Sequence, residues 1–286
     1  MREDGVDLIP RERSRRGWAT HGVRSAYLRL RSAIGLAPLR IPVSLIVLTG
    51  AAWAVMLHRA LSMSAPMDQA GHGAMGVEMI GEFTLGGLGV FLAVWTVMMG
   101  AMMLPSAAPM ILTFAAAQAR RDRNVAVPTW MFVTCYILVW GYAGLVVYVL
   151  LHAGKDLVDH LAWLESGPLV LGVTLTLAGL YQFTPLKRLC LRHCRSPLAF
   201  VKQHWRDGGA ETGFRHGLYC LGCCWAFFSV QVAAAGMMSI AWMLLITLVV
   251  FAEKMLPHGP RISVAVALGL IALGLLVGTG AVQLGG

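Results

Sequence analysis

Charge is scarce in this chain: Asp, Glu, Lys and Arg together make up 13% of 286 residues, against 57% apolar residues. That balance excludes an ordinary soluble domain, because the apolar runs exceed what one core can hide. Polar stretches are short, and none is long enough to fold alone. There is no phosphate-cradling glycine loop, no dinucleotide fingerprint and no HExxH, so the usual soluble catalytic arrangements leave no signal. Histidine pairs facing one another mid-span are missing too, since His58 and His152 stand near span ends, and a bis-histidine haem is disfavoured. Nor is there an internal repeat of the kind that marks inverted-repeat transporters.

What is present is a series of apolar runs, at about 41–61, 83–118, 126–151, 168–186, 217–235, 237–255 and 261–283. Each is near the ~20 residues that a bilayer requires. The expectation is an all-α polytopic membrane protein with about seven transmembrane helices, a basic cytoplasmic arm over 1–40 and one transmembrane domain over 41–283. Of 23 Lys and Arg, 21 fall in 1–40, 119–125, 187–216 and 254–261, leaving Arg59 and Lys155 for the other side. The positive-inside rule then predicts N-in, C-out topology in the bacterial inner membrane. Juxtamembrane basic residues against the lipid bilayer explain the net charge of +9 without a nucleic acid partner. Glycines such as those of GGLG at 86–89 read as helix-packing surface.

Two groups of sulfur side chains stand out. Within WTVMMGAMMLPSAAP (95–109), helical spacing puts Met98 over Met102 and Met99 over Met103. Pro105 and Pro109 follow, and a missing N–H with a clash one turn back predicts a kink with freed carbonyls beside the thioethers. Methionine is equally an ordinary apolar gap-filler. On the basic side, Cys190-x3-Cys194 and Cys220-x2-Cys223, with Cys224 adjacent, can bring up to four thiolates together where disulfides are disfavoured. Such a set holds copper(I), zinc or an iron–sulfur cluster. His193, His204 and His216 lie nearby as nitrogen donors. Buried cysteine also packs as a small hydrophobe, and CLGCCW fits helix packing around Gly222.

The runs WTVMMGAMMLPSAAP (95–109), YQFTPLKRLCLRHCRSP (181–197), GLYCLGCCW (217–225) and EK (253–254) resemble, in order, those of bacterial integral membrane proteins catalogued as predicted metal-binding. The resemblance spans roughly 83–258. It implies Met98, Met102, Met103, Cys190, Cys194, Cys220, Cys223 and Cys224 as site residues. One departure is that Phe227 and Phe228 stand where that family often has a methionine after the Trp of its cysteine motif.

The outer loop 62–82 adds Met67, His72 and Met75, donors that suit copper in an oxidising compartment. Glu253-Lys254 closes the sixth run, and the simplest expectation is a snorkelling Lys254 with Glu253 paired to a loop arginine. The leading functional expectation is binding, handling or transport of a soft metal, copper first. The outer loop would capture it, Met98, Met99, Met102 and Met103 relay it, and the inner thiols receive it, with a metallochaperone or another membrane subunit as partner. The alternatives are a membrane thiol-disulfide oxidoreductase and a non-catalytic membrane subunit.

Overall fold

The computed structural model describes residues 39–63, 84–120, 125–160, 167–204, 208–235 and 239–281. Most of the basic arm, and Met67, His72 and Met75 of the outer loop, lie outside the described residues. Among the described residues there are nine helices and no strand: α1 Arg40–Met63, α2 Leu85–Ala119, α3 Ala126–His160, α4 Gly167–Tyr181, α5 Pro185–Arg195, α6 Pro197–Gln203, α7 Gly208–Ala235, α8 Ile240–Met255 and α9 Gly259–Gly278. All seven apolar runs form helices. Five of these, α1, α2, α3, α7 and α9, are long and apolar enough to cross a membrane, and α4 with α5 makes a sixth if that bent pair counts as one.

The expected count of seven therefore does not hold by length. The run 168–186 breaks after Tyr181, and the axis turns by 64° into α5. Pro185 opens α5 without an N–H to give to α4, while the Thr184 side chain caps the new helix by accepting from Lys187 N. The run 237–255 yields only the 16 residues of α8. In the other direction, α7 begins at Gly208, well before the expected 217.

The central helices are α2 and α7, each with 56% of its most apolar window buried against 22% for α1 and α9. Close packing is set by glycines. On α7, a Cβ at Gly209 or Gly213 would run into the carbonyl oxygens of Pro128 and Phe132, and one at Gly217 would stand 2.9 Å from Val139. These contacts ascend together, so α3 and α7 run parallel with backbones in contact. The antiparallel pair α4 and α9 closes likewise, Gly172 lying where a Cβ would be 2.7 Å from the Gly274 oxygen. GGLG at 86–89 does not pack as expected, because a Cβ at Gly86 or Gly89 would meet nothing within 4 Å.

Candidate metal centre

Three chain ends meet at one level of the bundle. Tyr181, closing α4, donates its hydroxyl to the Gly222 carbonyl, and Lys254, near the end of α8, reaches Cys220. Arg195 of α5 joins the start of α9 to this level by donating to the carbonyls of Glu253 and Pro257. Helices α2, α3 and α7 continue past it, from Ser106, Tyr136 and Cys220 to their ends, by about 15–20 Å at 1.5 Å per residue. Helices α5 and α6 pack against these extensions and form a cap.

The thiols sit at this shared level. Cys220, Cys223 and Cys224 are at most 1% exposed, and Cys194 of α5 is 7% exposed. The Cys223 sulfur lies 3.2 Å from Cys224 and 3.9 Å from Cys194, and it donates to the Cys220 carbonyl at 3.2 Å. Cys220 in turn interacts with the thiols of Cys194, Cys223 and Cys224. All are free thiols. Cys190 packs instead against the backbone of Gly222, its sulfur 2.7 Å from where a Cβ would stand. The structure thus assembles four of the five expected thiols.

The tetrad surrounds a cation. Lys254 Nζ donates to Cys220 Sγ at 3.0 Å and to Ser106 Oγ at 3.2 Å, and the other three thiols lie within its electrostatic reach. Lys254 is 5% exposed, so it does not snorkel. Nor does a loop arginine take the Glu253 carboxylate. Lys187 does, at 2.7 Å, while Arg195 holds only the main-chain oxygen. Lys187 also donates to the Cys223 carbonyl at 2.6 Å and lies 4.8 Å above the Phe227 ring. With Glu253 committed to Lys187, the Lys254 ammonium has sulfur as its available counter-charge, and a buried cation demands one.

The methionines face this centre from α2. Met98, Met99, Met102 and Met103 are all at most 1% exposed. Gln231 donates to the Met98 sulfur at 3.5 Å, and Ser106, which binds Lys254, donates to the Met103 carbonyl at 3.0 Å. From Gln231 to Cys220 is eleven residues of α7, about 16 Å. A seam between α2 and α7 therefore carries thioethers at one end and thiols at the other. Helix α2 runs unbroken through Pro105 and Pro109. The carbonyl freed by Pro105, that of Ala101, does not await a ligand: Trp53 of α1 donates to it at 2.9 Å.

Among the described residues no three Cys, His, Asp or Glu side chains are disposed to hold one ion together. The sulfurs pair off, and Lys254 stands against Cys220. A low-coordinate soft ion needs only part of the tetrad, whereas structural zinc or an iron–sulfur cluster needs four ligands converging. Sequence reasoning missed Tyr136, whose hydroxyl meets Cys220 at 3.1 Å, and it missed Ser106, Lys187 and Gln231 as neighbours of the sulfurs. Gln231 left a signal, being a polar residue in an apolar run at near-heptad spacing from Cys220 and Cys224.

Buried sulfur donors gathered on packed helices, with a methionine-bearing helix beside them, define the chemistry of a protein that handles a soft metal. Residues 92–277, more than half of the chain, match the model of the PpoB2 family, described as copper chaperone, and the chain belongs to that family. The matched stretch opens before the methionines and contains every inner thiol. No curated protein and no solved structure matches the chain.

Proposed function

We propose that this protein is a multi-pass inner-membrane copper chaperone that takes Cu(I) as cargo and passes it along the α2–α7 seam between the methionines and the thiol tetrad. The observation that carries the proposal is the convergence of Cys194, Cys220, Cys223 and Cys224 around the Lys254 ammonium, one turn along the seam from the methionines. Soft donors favour Cu(I) at both ends. Charge balance favours it as well. Cu(I) held by two thiolates carries one net negative charge, which Lys254 offsets, whereas zinc held by four would leave one uncompensated.

Membrane embedding is supported by large apolar side chains on the outer surface, such as Ile46, Leu138, Leu177, Leu248 and Leu268, each at least 59% exposed. The described basic residues Arg120, Arg188, Arg192, Lys202 and Arg215 lie on the ends of α2, α5, α6 and α7 that make the cap, the side that the positive-inside rule assigns to the cytoplasm. Since α5 and the end of α8 lie on that side, the short helices α4 and α8 both run toward it, which restores seven crossings and an N-in, C-out chain. The outer-loop donors Met67, His72 and Met75 would capture copper, and a metallochaperone or another membrane subunit would meet the cap.

The test is elemental analysis of anaerobically purified, detergent-solubilised protein loaded with Cu(I). We expect near-stoichiometric copper in the wild type, lost in Cys220→Ser/Cys223→Ser and reduced in Met98→Leu/Met102→Leu, where leucine keeps volume without sulfur. Folded wild type that retains no copper overturns the proposal, and a disulfide among the thiols in its place would favour thiol exchange.

A further inference from the structure

His216 is 1% exposed, yet neither of its ring nitrogens has a hydrogen-bond partner. Buried polar side-chain atoms are almost always paired, and an imidazole left with both nitrogens free calls for an explanation. The ring is held by aromatic walls: Tyr136 stacked at 5.5 Å, Phe132 at 5.8 Å and Phe200 of α6 at 5.7 Å. None of these faces offers either nitrogen a partner.

Its position relates it to the thiols. His216 precedes Cys220 by one turn of α7, on the same face and about 6 Å further into the cap. Helical side chains lean toward the N-terminus, so the Cys220 thiol tilts over the turn that carries His216. Both side chains rest on Tyr136, whose ring stacks on the imidazole and whose hydroxyl meets the Cys220 sulfur. The charged and titratable groups that bear on the imidazole are Cys220 and Lys254.

We propose that His216 is a nitrogen donor for Cu(I), forming with Cys220 a second station on the cap side of the tetrad. The inference rests on the copper reading above and adds an order to it. An imidazole–thiolate pair is a less soft donor set than thiolates alone, so it holds Cu(I) less firmly and suits release toward a partner at the cap. The aromatic walls keep water from the station, and the unpartnered nitrogens leave a lone pair ready for the ion.

The experiment is copper K-edge X-ray absorption on the full-length, detergent-solubilised chain loaded anaerobically with one and with two equivalents of Cu(I). At one equivalent we expect sulfur scattering to dominate. At two, imidazole outer-shell scattering should appear, disappear in His216→Phe and persist in His204→Phe, with retained copper in His216→Phe falling from two ions per chain to one. Phenylalanine keeps the aromatic packing; should that variant fail to fold, His216→Gln takes its place. Sulfur-only spectra at both loadings, or imidazole scattering that survives in the His216 variant, overturn this inference and leave the copper reading standing. Wild type that retains no copper overturns the reading itself.

Discussion

Removing the Glu253 carboxylate should do disproportionate damage for one side chain. Its Oε2 lies 2.7 Å from Lys187 Nζ, and both side chains are 1% exposed, so Glu253→Leu strands an ammonium in the interior. Breaking a buried ion pair from one side costs about 3–5 kcal/mol. Lys187 keeps the Cys223 carbonyl at 2.6 Å and the Phe227 ring at 4.8 Å, which places the expected loss at the lower end, about 3 kcal/mol. The other carboxylate oxygen has no partner, so the pair is not fully satisfied even in the native fold. Replacing both members should therefore be far milder, with Lys187→Met/Glu253→Leu within about 1 kcal/mol of wild type. Unfolding by dodecyl sulfate in mixed micelles, followed by tryptophan fluorescence, measures all three proteins. The reasoning fails if Glu253→Leu unfolds with the wild type, or if the double variant is less stable than the single one.

Trp53→Phe leaves the Ala101 carbonyl without its donor at a cost of about 1–3 kcal/mol, and Pro105→Ala in that background should recover most of it by restoring a main-chain N–H; no recovery in the same unfolding assay would refute the pairing. Gly213→Ala drives a methyl group into the Phe132 backbone and should destabilise by about 1–3 kcal/mol or more, whereas Gly86→Ala should be neutral within about 0.5 kcal/mol; equal effects would contradict the packing. Lys254→Met removes the charge that offsets a thiolate–copper complex, so competition against a Cu(I) chelator should show affinity reduced about tenfold or more, equivalent to ~1.4 kcal/mol. Unchanged affinity would exclude the lysine as counter-ion.

The helices and their sulfur residues were legible in the sequence because apolar runs and short spacings are local properties. Each apolar run became a helix, and the cysteine pairs lie where their spacing put them. The bend after Tyr181 was obscured because hydropathy continues through Phe183 and Leu186, although Pro185 marked it. Equal spacing could not separate Cys194, which joins the tetrad, from Cys190, which lies against Gly222, because the difference depends on which face of α5 meets α7. Lys254 was beyond reach for the same reason: its partners Ser106 and Cys220 are 148 and 34 residues away, and only tertiary packing brings them together. The free carbonyl expected beside the methionines was filled from α1, a helix whose sequence gives no hint of that role.

The four thiols do not belong to one rigid part of the protein. Three ride on α7, which the glycine contacts clamp to α3, while Cys194 rides on α5, across a 64° bend from α4. How many sulfurs an ion can engage is therefore set by how α5 is seated. With α5 in place a metal finds the full set, and each step of α5 away subtracts a ligand without disturbing the rest. Grip strength is thus a mechanical variable here, one that a protein pressing on the cap can turn.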